Sequence, residues 1–129
     1  MVRSGAGLLF GLNNDWSRFY VFGIGTNQKY WLSRFEGGAW ADVIPSTSSA
    51  LVNRASDNLL WVKSEGSQFT LYLNGSQVGA VNDGATHAGR VGLYAEGVAG
   101  FDARFHSYAL WKTGVTGADE AAGNTMQAP

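Results

Sequence analysis

The chain has 129 residues, of which 13% are aromatic and 15% are charged, and its formal net charge is -1. This length fits one domain, and the aromatic content excludes an intrinsically disordered protein. The near-neutral charge provides no basic stripe for nucleic acid and no cationic face for a membrane, so we expect neither partner. Cysteine is absent, which excludes disulfide scaffolds, cysteine-ligated zinc and thiol nucleophiles.

The 18 glycines and only 2 prolines are typical of many short strands joined by tight turns. No apolar run approaches the roughly 20 residues of a membrane span. The first residues also lack the apolar segment of a signal peptide. We therefore expect the chain as it stands to stay inside the cell unless a leader has been removed.

Short runs of alternating apolar and polar residues, separated by turn-forming residues, follow one another along most of the chain. These runs predict about nine strands, at residues 7–12, 19–24, 29–35, 40–44, two within 58–75, 77–81, 90–95 and 101–111. Residues 45–49 are predicted to be a polar loop, and residues 51–57 an irregular connection. In the last strand the inward-facing set shifts by one residue, which indicates a bulge near His106 and Ser107.

Residues 58–75 carry the strongest signal, because two alternating runs flank a glycine-bearing turn and the second run ends in Asn-Gly. Such alternation predicts antiparallel strands with one packed face and one wet face. The wet face is predicted to carry Trp61, Lys63 and Tyr72. The packed face is predicted to carry Leu60, Val62, Phe69, Leu71 and Leu73.

This succession of strands, without a convincing helix, predicts an all-β protein folded as an antiparallel β-sandwich or jelly roll. We expect residues 1–112 to form this single domain. From residue 113 onward the side chains are small and polar and can bury little apolar surface. Residues 113–129 are therefore predicted to be a flexible tail.

Several sequence runs occur in a recognisable order: Gly-Leu-Leu-Phe-Gly-Leu-Asn, Tyr-Trp-Leu-Ser-Arg-Phe-Glu-Gly-Gly-Ala-Trp, Phe-Thr-Leu-Tyr-Leu-Asn-Gly and Phe-His-Ser-Tyr-Ala-Leu-Trp. From Gly7 to Trp111 this order resembles concanavalin A-like lectin and glucanase domains of the laminin-G-like kind. The resemblance implies a concanavalin A-like jelly roll and carbohydrate as the ligand class. The family usually carries Phe-Asp-Asn in its closing strand, whereas Phe105 is followed here by His106 and Ser107.

Domains of that family generally have one or more strands before the Gly-Leu-Leu-Phe run, with which this chain almost begins. The resemblance thus implies a sandwich that lacks its N-terminal strands and exposes a sheet edge and part of its core. We expect self-association into a homo-oligomer to cover that edge. The alternative is a small sandwich that closes on itself.

Glucanases of this superfamily place paired acids on one strand as Glu-x-Asp-x-x-Glu, and neither Glu-x-Asp nor Asp-x-Glu occurs here. Retaining hydrolysis needs two carboxyl groups about 5 Å apart. The histidines are not at metal-ligand spacing, and no serine lies in a Gly-x-Ser-x-Gly elbow. We predict a protein that is not an enzyme. The hydrolase alternative needs two acids from separate strands within reach of each other in one groove.

The aromatic side chains are the candidate ligand contacts, because sugar rings stack on aromatic faces while polar neighbours hold the hydroxyl groups. We predict a carbohydrate-binding site that includes Trp61, Tyr72, Trp31, Trp40 and Lys63. Two alternatives stay open. Each tryptophan could belong to the core, and the exposed aromatics could instead form a protein–protein interface.

No cofactor is predicted. Asn13-Asn14-Asp15 and Asn82-Asp83 supply oxygen atoms of the kind that calcium binds. However, asparagine and aspartate also occupy turns for conformational reasons alone. Calcium is therefore a possible ligand that the sequence does not favour, and no metal site is predicted.

Overall fold

The computed structural model describes residues 4–54, 56–65, 68–82, 90–97, 103–105, 108–111 and 121–126. None of these residues forms a helix long and apolar enough to cross a membrane. They form ten strands, which are β1 Gly5–Leu12, β2 Arg18–Gly25, β3 Lys29–Glu36, β4 Ala39–Ser48, β5 Leu60–Glu65, β6 Gln68–Leu73, β7 Ser76–Asn82, β8 Arg90–Glu96, β9 Tyr108–Trp111 and β10 Ala121–Met126.

Two antiparallel sheets pack against each other as a β-sandwich. One sheet has five strands in the order β4-β3-β2-β1-β8, and the other has three in the order β5-β6-β7. Strands β1 to β4 pair in succession as hairpins, as do β5 to β7, while β8 joins the larger sheet by pairing with β1. The all-β sandwich predicted from the sequence is confirmed.

Two hairpins close through tight two-residue turns. Gly37 and Gly38 join β3 to β4 with φ of 62° and 80°, and Asn74 and Gly75 join β6 to β7 with φ of 52° and 88°. Positive φ at both central residues is typical of type I′ turns, whose twist matches that of the flanking strands. Glycine and asparagine adopt this conformation most readily, so the sequence specifies both turns locally.

The core lies between the two sheets and combines aromatic with aliphatic side chains. The ring of Phe69 on β6 contacts the rings of Phe10 and Tyr20 edge-on, with centroids 5.2 and 5.0 Å apart. Val52, from the connection between β4 and β5, is also buried, and its carbonyl accepts a hydrogen bond from Gln28 Nε2 at 2.8 Å. The buried residues of the core are Phe10, Tyr20, Phe22, Leu32, Val52, Phe69, Leu71 and Leu73.

Strand β4 is longer than the sequence predicts. The expected strand at 40–44 and loop at 45–49 are replaced by one strand that continues through Pro45 to Ser48. Proline cannot donate to a ladder, but β4 is an outer strand of its sheet, where that loss is tolerated. Its pairing with β3 also shifts register on both sides of Leu32, so the irregularity is absorbed next to the proline.

The C-terminal segments also differ from the prediction. Residues 103–105 are not in a strand, β9 begins only at Tyr108, and the bulge predicted at His106 and Ser107 lies outside the described residues. Where the sequence predicts a flexible tail, Ala121–Met126 form β10 and pair with β9. Ladder pairing uses backbone groups and needs no apolar side chains, so composition gave no sign of it. The domain boundary after residue 112 stays a prediction.

Candidate functional site

The face of the five-stranded sheet that points away from the core is concave. Trp40 lies on β4 and Tyr94 on β8, the two outer strands, yet their ring centroids are 6.2 Å apart. In a flat sheet the backbones of these strands would be about 19 Å apart, and side chains stand roughly perpendicular to the sheet. The sheet therefore curls and brings its two rims together. We call this surface the concave face.

Trp31 forms the floor of the concave face. Its indole ring lies across β2 and β1, where a Cβ atom added at Gly23 would stand 2.6 Å from Cζ2 and one added at Gly5 would also collide with the ring. The missing side chains on these strands give the ring room to lie against their backbones. Trp31 is only 2% exposed, so it shapes the surface from below.

Trp40 stands on the rim above this floor, within an aromatic cluster. The rings of Phe19 and Phe35 stack at 5.1 Å, and Trp40 meets them edge-on at 5.5 and 5.2 Å. Although three rings hold it in place, counting that of Tyr94, the side chain of Trp40 stays 51% exposed. A large indole is thus fixed in position and presented to solvent.

A cavity of about 280 Å³ lies on the concave face between the two rims. Asp42 reaches it from β4, opposite Ser33 in the β3–β4 pairing, and Glu96 reaches it from β8. Aromatic surface beside carboxylate and hydroxyl oxygens can stack a ring-shaped ligand and accept hydrogen bonds from its polar groups. The described residues that line the cavity are Val21, Trp31, Ser33, Trp40, Asp42, Tyr94 and Glu96.

A larger cavity of about 560 Å³ lies at one end of the sandwich, against the connection between β4 and β5. Its asparagines hold that connection in place: Asn58 Oδ1 accepts hydrogen bonds from Asn53 N and Asn74 Nδ2, both at 2.8 Å. Asn58 Nδ2 in turn donates to the carbonyl of Asn53 at 3.0 Å. These asparagine side chains form hydrogen bonds that hold the connection in place. We therefore place the candidate site on the concave face.

The five residues predicted from the sequence lie on two different faces of the sandwich. Trp31 and Trp40 belong to the concave face of the five-stranded sheet. Trp61, Tyr72 and Lys63 lie on the outward face of the three-stranded sheet, since their neighbours in β5 and β6 point into the core. One site cannot contain all five residues, and ligand contact by any of them stays a prediction.

On the three-stranded sheet, Trp61 and Tyr72 form a cross-strand pair. They are directly opposite in the β5–β6 register, and their rings stack with centroids 4.8 Å apart at 29°. Nearby, Lys63 Nζ lies 3.4 Å from Glu65 Oε1. Trp61 is 51% exposed, but each ring directs one of its two faces at the other ring. This packing favours a role in the hairpin over an open stacking platform.

Sequence reasoning did not select Ser33, Asp42, Tyr94 and Glu96 as site residues. They come from separate strands, and only the curl of the sheet brings β4 and β8 together. One signal was present in the sequence. Glycines recur at alternate positions near the start and in β2, at Gly5, Gly7, Gly23 and Gly25, which indicates a sheet face that leaves room for a large ring.

Oxygen atoms of the turn that carries Asn13-Asn14-Asp15 accept hydrogen bonds from other groups of the protein. Asp15 Oδ1 accepts a hydrogen bond from Ser17 N at 3.1 Å, and the hydrogen bonds from Ser17 lower the pKa of Asp15. The carbonyls of Asn13 and Asn14 accept from Arg90 Nη2 at 3.2 and 3.3 Å. The guanidinium of Arg90 thus binds the two carbonyl oxygens that a calcium ion at this turn would use as ligands.

The other predicted turn, residues 82–83, lies partly outside the described residues. Within the part of the chain that the structure describes, no group of three or more histidine, aspartate or glutamate side chains is placed to hold a metal ion. Calcium binding was not favoured from the sequence, and that expectation stays a prediction.

No protein-family model and no curated protein matches this chain. Among solved structures, the chain is similar to the carbohydrate-binding module CBM66 from Bacillus subtilis, with a TM-score of 0.61 and 22% sequence identity. The similarity covers 73% of this chain and 59% of that chain, so this chain spans less than two thirds of the length of the CBM66 structure. At this level of identity the similarity establishes the β-sandwich fold.

Proposed function

We propose that this protein is a non-catalytic, lectin-like carbohydrate-binding module of the concanavalin A-like kind, and that it binds glycans on its concave face. The observation that carries the proposal is the exposed indole of Trp40, held 6.2 Å from Tyr94 beside a cavity that Asp42 and Glu96 line. The similarity to a solved carbohydrate-binding module supports the ligand class.

The physical basis is the two-sided nature of a sugar ring. Its C–H groups form an apolar face that packs on an aromatic ring, here Trp40 or Tyr94. Its hydroxyl groups donate hydrogen bonds, which the carboxylates of Asp42 and Glu96 accept at the two rims, and hydrogen bonds to charged groups are the stronger kind. Trp31 supports the floor from below. A cavity of about 280 Å³ limits the buried contact, so we expect weak binding.

A pair of tryptophan variants tests the proposal. Trp40 and Trp61 are both 51% exposed but lie on opposite sheets, so they are matched controls for each other. After a glycan array identifies ligands, calorimetry should show that Trp40→Ala weakens binding by about tenfold or more, while Trp61→Ala stays within about twofold. The reverse pattern would move the site to the Trp61, Tyr72 and Lys63 face. A parent protein that binds no glycan would contradict the proposal.

A hydrolase is the second candidate function, because one observation favours it. Asp42 and Glu96 come from separate strands and line one cavity, which is the arrangement that the hydrolase alternative needs. The general acid of a glycosidase is enclosed by apolar side chains, whereas Asp42 is exposed and Glu96 is only half-buried. We therefore expect no new reducing ends when the protein is incubated with its best glycan ligand. Cleavage that disappears in Asp42→Asn or Glu96→Gln would establish the hydrolase instead.

A further inference from the structure

We infer that the concave face selects glycans that carry protonated amino groups, such as glucosamine oligomers, over their N-acetylated counterparts and over acidic glycans. This inference rests on the proposed function, since it specifies the ligand class of the same cavity.

The charged side chains that line the cavity are acidic. Its described lining residues include two carboxylates, Asp42 and Glu96, and neither a lysine nor an arginine. Two basic residues share this face of the sheet by strand alternation. Arg90 is directed to the turn before β2, where it donates to the carbonyl of Asn13. Lys29 lies two residues before Trp31 and is not among the lining residues.

The two carboxylates disfavour acidic glycans. A uronate or sulfate group in the cavity would add a third negative charge beside Asp42 and Glu96. Within the described lining no basic side chain is present to neutralise that charge, and repulsion between like charges grows as water is displaced from a cavity. Acidic polysaccharides should therefore bind worst.

A protonated amine, in contrast to an acidic group, is attracted to this surface. It carries three N–H donors and a full positive charge, so its hydrogen bonds to Asp42 or Glu96 are charge-assisted. The faces of the Trp40 and Tyr94 rings also attract a cation held above them. An N-acetyl group at the same position removes the charge and two of the donors, and a plain hydroxyl offers one neutral donor. The carboxylates and the aromatic ring faces of the cavity therefore both favour binding of a protonated amine.

The aromatic and hydroxyl groups of the cavity favour a ligand that also contains a sugar ring. A flexible polyamine such as spermidine carries the charge but has no ring to stack on Trp40 and no hydroxyl groups to meet Ser33. The lining combines aromatic, hydroxyl and carboxylate groups, so the best ligand has an apolar ring face, hydroxyls and an amine together.

Calorimetry at about pH 6, where an amino sugar is protonated and carboxylates are ordinarily ionised, tests the inference. The ligands are glucosamine hexamer, N-acetylglucosamine hexamer, a neutral glucan hexamer, a polyuronate oligomer and spermidine. We expect the glucosamine hexamer to bind about tenfold or more tighter than the other four at low ionic strength. The difference should shrink at about 0.5 M salt, because screening weakens the charge contribution.

Three variants locate the effect. Asp42→Asn and Glu96→Gln should each reduce the preference for the glucosamine hexamer by about threefold or more. Glu65→Gln, which removes an exposed carboxylate from the opposite sheet, should leave the preference unchanged. A preference that survives in both cavity variants would overturn the inference.

The remaining outcomes separate this inference from the proposed function. If neutral or N-acetylated glycans bind as tightly as the glucosamine hexamer and Trp40→Ala abolishes that binding, the inference is wrong and the proposed function holds. If spermidine binds as tightly as the hexamer, the surface is a site for simple cations and the inference is wrong. If no glycan binds, both proposals are wrong.

Discussion

The indole ring of Trp31 lies directly against Gly23, its partner in the β2–β3 register, so closely that a Cβ atom on Gly23 would stand 2.6 Å from Cζ2 of the ring. Real side chains do not approach this closely. The glycine therefore lets the ring cover the backbone of its neighbour strand, and the ring in turn fills the space that a side chain would have occupied. The floor of the concave face depends on this pair.

We expect Gly23→Ala to destabilise the fold by about 1–3 kcal/mol, because the new methyl group must displace the Trp31 ring or the strand beneath it. Urea unfolding measures the change. Gly92→Ala is the matched control, since Gly92 lies on the same sheet face and a Cβ there meets nothing within 4 Å. The same substitution in a Trp31→Leu background should cost less. Equal losses at Gly23 and Gly92 would show that Trp31 does not depend on the glycine.

The core faces could be predicted from the sequence, because strand alternation is a local property. Phe69, Leu71 and Leu73 were assigned to the packed face and are fully buried. The extent of β4 could not be predicted in this way. Pro45 and its polar neighbours indicate a loop when considered alone, and only the position of β4 at the edge of a sheet makes a strand tolerable there.

The candidate site was predictable only in part, for a related reason. Residue type alone singled out Trp31 and Trp40 as candidate ligand contacts. Asp42 and Glu96 are isolated acids in the sequence, and nothing local relates β4 to β8. Their meeting depends on strand order and on the curl of the whole sheet, which are long-range properties. A pattern with a period of two residues carries no information about either.

Asn74 should contribute to stability through its side chain as well as its turn conformation. Its Oδ1 accepts from Leu59 N at 2.7 Å, and its Nδ2 donates to the carbonyl of Leu51 at 2.7 Å and to Asn58 Oδ1 at 2.8 Å. Asn74→Gly keeps the backbone freedom but deletes these bonds, so we expect a loss of about 1–3 kcal/mol in urea unfolding. Asn14→Gly, in an exposed turn, is the control and should change stability little.

Asn74→Asp refines that measurement. It keeps an acceptor for the Leu59 amide but replaces both donors with oxygen, so its stability should fall between those of the parent and Asn74→Gly. An Asn74→Gly variant as stable as the parent would show that only the left-handed backbone conformation is needed at this position.

The carboxyl group of Asp15 should produce a small dependence of stability on acid pH. Hydrogen bonds from the Ser17 hydroxyl and backbone lower its pKa in the folded state. A lowered pKa contributes stability that is complete above the unfolded pKa of about 4 and is lost as pH falls through the folded pKa. Asp15→Asn should therefore be slightly less stable than the parent at neutral pH and equal to it in strong acid, as measured by unfolding midpoints across pH.

A direct titration checks the cause. Carboxyl NMR should place the pKa of Asp15 below that of an unstructured aspartate, and Ser17→Ala should move it back upward because the hydroxyl donor is gone. An Asp15 that titrates at its ordinary value in the parent would contradict the assignment of these hydrogen bonds.

Trp61 and Tyr72 should stabilise their own hairpin through their stacked rings. Their centroids are 4.8 Å apart across β5 and β6, and such pairs contribute about 0.5–1.5 kcal/mol beyond the burial of their surface. A double-mutant cycle with Trp61→Ala and Tyr72→Ala should therefore show a coupling energy of this size in urea unfolding. Additive effects of the two substitutions would mean that the rings act independently.

The same double variant tests the self-association that the sequence leads us to expect. If the expected homo-oligomer forms by pairing of exposed strand edges, backbone groups hold it together, and light scattering should give the same mass for the parent and the double variant. Trp40→Ala, an equally exposed tryptophan on the other sheet, is the control. An oligomer that dissociates only in the Trp61→Ala, Tyr72→Ala variant would make this face an interface between chains, because the rings would then be buried against a second copy. A parent that is monomeric at every concentration would instead favour a small sandwich that closes on itself.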